Sequence, residues 1–116
     1  LANDSLKYRT NTGYWDTLMT FPGEAYEESS GSALLSYGYA KGARLGLLPK
    51  SFREKASETF SAIVARMPRS RFGRSMTDIS WLTMPYGKFG YKMLIRQKDI
   101  SYGVGSFLLL SSELNN

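Results

Sequence analysis

Cysteine and histidine are both missing from this 116-residue chain, and each absence removes a class of chemistry. Without cysteine there is no disulfide and no thiolate nucleophile; without histidine there is no imidazole base, and the usual zinc donor sets cannot be assembled. Acid and base chemistry is left to carboxylates, lysines and tyrosines. Apolar runs are short, Phe107 to Leu110 being as long as they get, whereas a bilayer-spanning helix needs ~20 apolar residues. The first residues do not carry the charged-then-apolar pattern of a leader. A soluble, cytoplasmic protein is expected, with the periplasm as the alternative, and no membrane partner. Leu1 in place of Met reads as a processed chain, an excised domain or a fragment.

What is present suits one compact domain over residues 1–116, with 42% hydrophobic residues. Fifteen Lys and Arg against ten Asp and Glu leave a net charge of +5, which favours an acidic partner without saying which kind. Basic residues near Phe72, Trp81, Tyr86 and Tyr91 raise the question of single-stranded nucleic acid. No nucleic-acid motif accompanies them, and that partner is not expected.

Periodicity divides the chain. Residues 1 to 10 read as the last turns of a helix stopped by Asn11-Thr12-Gly13, and Tyr14 to Met19 as an ordered loop closed by a Pro22-Gly23 turn. From Ser29 to Leu45 the apolar positions Ala33, Leu34, Tyr37 and Ala40 follow helical spacing. Ser30, Gly31, Ser32, Ser36, Gly38 and Gly42 give that helix a coat of small side chains, and each internal glycine costs about 1 kcal/mol against alanine. Close packing on several sides would offset the cost, so this reads as an inner helix. The next segment is one-sided: Phe52, Ala56, Phe60, Ile63, Val64 and Met67 form a stripe, with charges off it. Ser51 and Glu54 fit a capping box, and Pro68 ends this outer helix. Lys41 and Arg44 sit where they complement a helix C-terminus.

Beyond Pro68 a long loop is expected. Arg69, Arg71 and Arg74 around Phe72 read as solvated loop, Ile79 to Met84 and Tyr91 to Ile95 as short strands, and Pro85-Tyr86-Gly87 as a turn. Val104, Phe107, Leu108, Leu110 and Leu114 then mark a final, well-buried helix opened by Gly103, Gly105 and Ser106. Inner helix, outer helix, long loop, inner helix is the pattern of stacked helical hairpins. Loops longer than about 12 to 15 residues in compact domains commonly serve function, so this one is a candidate wall of a site.

Four stretches carry a resemblance. TGYWDTLM, EESSGSALLSYGYAKGARLGLLP, DISWLTMPYG and YGVGSFLLLSSEL follow one another in the order found in the C-terminal part of glycoside hydrolase families 88 and 105, the unsaturated glucuronyl and rhamnogalacturonyl hydrolases. Leu82 stands where the family pattern has Gly before Thr83, and Asp16 where related sequences have His or another aromatic residue. The resemblance implies an all-α chain: part of an (α/α) six-hairpin toroid, about two helical hairpins plus a closing helix, with a short extended segment in the long loop. It implies a sugar pocket where loops meet the N-terminal ends of inner helices. Trp15 would stack on the sugar there, with Asp16, Glu28 and Ser30 as polar contacts. The implied substrate is an acidic oligosaccharide generated by a lyase. The implied reaction hydrates the C4=C5 double bond of its terminal uronic acid without metal or cofactor.

The acid of that reaction belongs, by the same resemblance, to an earlier hairpin, so no catalytic residue is assigned within this chain and inactivity is expected. Uncovered hairpin edges are expected to drive self-association. The alternative is a non-catalytic helical-hairpin module for carbohydrate binding or assembly. Asp16, Glu24, Glu27 and Glu28 are also what an ordinary acidic surface loop contains.

Overall fold

The computed structural model describes residues 1–20, 25–70, 73–80, 96–97 and 101–116. Four helices dominate them: α1 (Ala2–Leu6), α2 (Ser29–Arg44), α3 (Ser51–Arg66) and α4 (Ser101–Leu114). Three two-residue antiparallel pairs trim the loops: β1 (Trp15–Asp16) with β2 (Glu27–Glu28), β3 (Arg69–Ser70) with β4 (Gly73–Arg74), and β5 (Ile79–Ser80) with β6 (Arg96–Gln97). The expected Pro22-Gly23 turn, the Pro85-Tyr86-Gly87 turn, the strand over Tyr91 to Ile95, the rest of Ile79 to Met84, and the departure at Leu82 lie outside the described residues.

Helix α2 packs against both α3 and α4, while those two make a smaller contact that includes the parallel stack of Phe60 on Phe107, centroids 5.2 Å apart. This middle position explains the small side chains: Ser32, Ala33, Ser36 and Ala40 are fully buried. Close packing accounts for some of the glycines. A Cβ on Gly42 would come within 2.7 Å of Leu48 Cδ1, whereas one on Gly38 would meet nothing within 4 Å. The close packing expected on several sides of α2 does not reach the Gly38 side, where Leu34 is also exposed, and α4, expected to be well buried with Leu108 inside, instead leaves Leu108 exposed.

The helix ends follow local chemistry. Gly46 has φ +75, and Leu47 N–H donates to Gly42 O while Gly46 N–H donates to Ala43 O. That is the glycine-terminated pattern in which a left-handed residue satisfies the last carbonyls. At the end of α3, Met67 is extended (φ −73, ψ 114), as the residue before Pro68 must be. The capping box read at Ser51 and Glu54 does not form. Ser51 is already helical, no side chain caps α3, and the chain enters through the Phe52-to-Pro49 and Arg53-to-Lys50 backbone bonds instead. In the segment read as a loop from Arg69 to Arg74, the described residues pair as β3 with β4, and Arg74 Nη1 donates to Val64 O.

Helix α1 is stitched to α2. Trp15 Nε1 donates to Ser5 O at 2.8 Å, Tyr39 hydroxyl donates to Ala2 O at 3.2 Å, and Ser5 and Tyr39 hydroxyls are bonded to each other. Trp15, Tyr39 and Phe52 then run edge-to-face through the core. Arg9 ties this region to α3 through Lys55 O, Glu58 and Thr59, and Thr59 Oγ1 donates to Gly13 O at 2.6 Å.

Candidate functional site

Glu28 closes β2 and is also the N-cap of α2, with extended backbone (φ −108, ψ 124). Its Oε1 accepts from Ser30 N–H at 3.2 Å and from Ser30 Oγ at 2.6 Å, and its Oε2 from Gly31 N–H at 2.5 Å. A side chain thereby satisfies donors that a helix start otherwise leaves unpaired, and its negative charge sits at the positive end of the dipole. Gly31 is part of the device, because a Cβ there would press to 2.9 Å from Glu28 Oε2. Ser32 Oγ completes the turn by donating to Glu28 O.

The first residue of α2 also reaches across the chain: Ser29 N–H donates to Asp78 O at 2.8 Å. Asp78 has φ 57, a left-handed conformation that aspartate tolerates better than most residues. The next residue, fully buried Ile79, presses its side chain into the space a Cβ would take on Gly103, in the first turn of α4. Consecutive residues of one segment thus touch the starts of α2 and α4. At the opposite end Arg44, the last residue of α2, pairs with Glu113, next to last in α4. The two helices are parallel, and their N-termini share one end of the molecule.

Around that shared end the polar groups are already organised. Thr17 donates twice to Tyr26 O, at 3.0 Å from N and from Oγ1. Glu27 accepts from Thr12 at 2.6 Å and from Arg66 at 2.5 Å. Partial burial pushes its carboxyl upward, but the hydrogen bonds of Thr12, Thr10 and Arg66 and the Arg66 charge outweigh that and hold it below the ordinary value. The Arg66 guanidinium lies 4.0 Å over the Tyr14 ring. Burial raises the Tyr14 phenol despite its bond with Ser29 and the charge of Arg66. Tyr102, in the first turn of α4, is raised too, first by burial and then by the nearby charge of Glu28 and the neighbour Tyr26.

The four residues singled out from sequence fall into two groups. Glu28 and Ser30 sit together at the start of α2, hydrogen-bonded to each other. Trp15 is only 2% exposed. Its ring is packed on Tyr39 and approached by Arg9, so it anchors the loop in the core rather than offering a bare face for stacking. Asp16 is buried beside it and borders a cleft of about 530 Å³ formed with Arg9, Thr10, Thr12 and Glu27. Among the described residues no cluster of acidic side chains could hold a metal ion. Sequence reading missed Tyr102, Tyr26 and Asp78. The only signal for Tyr102 was its place just before Gly103 and Gly105, at a helix start as rich in small residues as that of α2.

Two parallel helix starts, two serines, a carboxylate and two phenols make an end suited to a ligand rich in hydroxyl and carboxylate groups. Comparison with known proteins places this geometry. Residues 1–116 match the profile of Glycosyl Hydrolase Family 88. A family 105 glycoside hydrolase from C. acetobutylicum superposes with a TM-score of 0.86 at 28% identity, over 98% of this chain and 35% of that one. Possible family 105 members from Salmonella enterica and Klebsiella pneumoniae give TM-scores of 0.83 and 0.81 at 24% and 22% identity. They cover 97% and 98% of this chain and 29% of each of theirs, and show the shared fold. The chain thus spans about a third of the length of the solved structures it matches. No curated protein sequence matches it.

Proposed function

The chain belongs to Glycosyl Hydrolase Family 88, and on that premise we propose that it builds one wall of a pocket for an unsaturated uronic acid at the end of a lyase-generated oligosaccharide. The observation that carries this reading is the parallel pair α2 and α4, whose N-termini lie at one end under Glu28, Ser30 and Tyr102. The positive dipole ends of two helices meet there, which favours an acidic sugar, while the first N–H groups of α2 are already taken by Asp78 O and the Glu28 carboxylate. The reaction of the complete pocket is hydration of the sugar's C4=C5 bond. A proton adds at C4, water oxygen bonds to C5, and the resulting hemiketal opens to release the sugar.

The acid for that step is not assigned to this chain. A general acid works best with a pKa near the operating pH. Glu27 is held below its ordinary value by Thr12, Thr10 and Arg66, and Glu28 is committed to capping α2. Purified alone, the chain should leave an unsaturated uronyl disaccharide intact, followed as the ultraviolet absorbance of the conjugated double bond. Steady turnover that disappears in Asp16→Asn or Glu28→Gln would place the acid here and overturn the assignment.

A second reading, a non-catalytic carbohydrate-binding or assembly module, is favoured by the exposed leucines: Leu34 on α2, and Leu108 and Leu109 on α4. Apolar side chains left uncovered on two helices favour self-association. Sedimentation showing one monomeric species over a wide concentration range would remove the assembly part of that reading.

A further inference from the structure

With Trp15 buried, the aromatic platform expected at the sugar end falls to another residue, and the described aromatics narrow the choice. Tyr14, Trp15, Tyr39 and Phe52 are in the core, Phe60 and Phe107 cover each other, and Tyr37 holds Lys41 Nζ at 3.0 Å. Among the described residues Tyr8 and Tyr102 are the most exposed rings, at 37% and 49%, and Tyr26, at the same end as Tyr102, is less exposed. Tyr8 follows α1 and borders the Asp16 cleft. Tyr102 stands at the end shared by the α2 and α4 starts, close enough to Glu28 for that charge to act on its phenol.

We propose that Tyr102 is the platform on which the sugar ring lies, with Gly105 leaving room beside it and the Glu28–Ser30 pair facing the sugar's hydroxyls. The proposal rests on the carbohydrate reading above and names a binding residue within it. Three features of the site suit the role. The backbone under the ring is held, since Gly103 is packed against buried Ile79 and Ser106 Oγ donates to Tyr102 O at 2.8 Å. A held backbone spares the ligand the ordering cost that a mobile loop would impose. Residues three apart in a helix share a face, so Gly105 neighbours Tyr102, and a Cβ at Gly105 would meet nothing within 4 Å. Finally, a phenol of ordinary value 10.0 is protonated at neutral pH, and partial burial and the Glu28 charge only shift it further in that direction. The platform therefore presents an apolar face to sugar C–H groups and a hydroxyl to its rim, the amphipathic combination that tyrosine supplies.

The test is calorimetric titration of the full chain with an unsaturated uronyl disaccharide, for wild type, Tyr102→Phe, Tyr102→Ala and Tyr8→Ala. Tyr102→Ala should weaken binding about tenfold, and Tyr102→Phe by no more than about threefold, because the ring is retained. Circular dichroism of each variant checks that α4 is intact. A second measurement needs no variant: with ring-labelled tyrosine, the Tyr102 resonance should be the one most shifted by the disaccharide. Wild-type binding that survives Tyr102→Ala, or is lost instead in Tyr8→Ala, overturns the platform and leaves the carbohydrate reading standing. No binding by the wild-type chain at millimolar disaccharide overturns both.

Discussion

The two ends of the α2–α4 pair are built differently. At the C-terminal end side chains close everything off. Arg44 pairs with Glu113, Arg53 donates to Leu114 O at 2.8 Å and to Asn116 O at 3.2 Å, and Leu48 folds over Gly42. These are cations on helix C-termini and a glycine-terminated turn, ordinary means of satisfying carbonyls. At the N-terminal end the helices are held largely through backbone and by Ile79, with Ser29 N–H on Asp78 O and Gly103 under Ile79. Polar and aromatic side chains there are left partly exposed: Ser30, Tyr26 and Tyr102. Ion pairs and carbonyl caps are grouped at one end and partly exposed polar and aromatic side chains at the other, on the same two helices.

The most severe way to break this contrast is to fill the Ile79 contact. Gly103→Val forces a branched side chain against fully buried Ile79, three of whose side-chain carbons already lie within 3.1 Å of a Cβ there. It should cost about 2–3 kcal/mol, as overpacking a filled core does, read from urea denaturation. Gly105→Ala, two residues on and facing open space, should be neutral or stabilising by up to about 1 kcal/mol. Equal losses for the two would mean that the N-terminal end is not held by this contact.

Next in size is the cap. Glu28→Ala removes the carboxylate that serves Ser30 and Gly31 and should lower stability by about 1 kcal/mol. Its effect on hydrogen exchange should be local to the first turn of α2. Protection lost equally along α2 and α4 would show that the end is not a separate unit.

The smallest effect separates the ends by pH. Glu113 is lowered by its hydrogen bond from Arg44 and by the charges of Arg44, Lys41 and Arg53, against opposing burial; Glu27 is lowered for the reasons given above. A carboxylate whose folded pKa is depressed contributes stability that is complete above its ordinary value of 4.5 and is lost as pH falls through the lower folded value. The melting temperature should therefore fall on acidification below about pH 4.5. Glu27→Gln should remove less than about 1 kcal/mol of that dependence, as expected of a partly exposed pair. Glu113→Gln should remove its own share independently, since the two pairs lie at opposite ends. A melting temperature flat through that range would show that neither pair contributes.

Local pattern alone made the three long helices legible. Spacing of apolar residues placed α2, α3 and α4 within a residue or two of their observed spans, and Pro68 marked an end for a stereochemical reason that needs no tertiary context. The small residues of α2 also announced its middle position, though not that Gly38 would face outward. Composition excluded thiol, imidazole and disulfide chemistry outright.

What only the tertiary structure decided is where individual side chains point and what they meet. Trp15 reads equally as platform or anchor in one dimension. Tyr39, Arg9 and Ser5, brought from α2 and from before the Trp15 strand, make it an anchor. Glu28 reads as a polar contact of the pocket, and only the fold shows that its carboxylate also caps α2 through Ser30 and Gly31. The parallel starts of α2 and α4, and Tyr102 beside Glu28, depend on Asp78 and Ile79 reaching helices that begin 49 residues earlier and 22 later. Helical periodicity is set by contacts three and four residues apart and is written in any window of the chain. The identity of a site is set by contacts between distant segments, whose distances no local window contains.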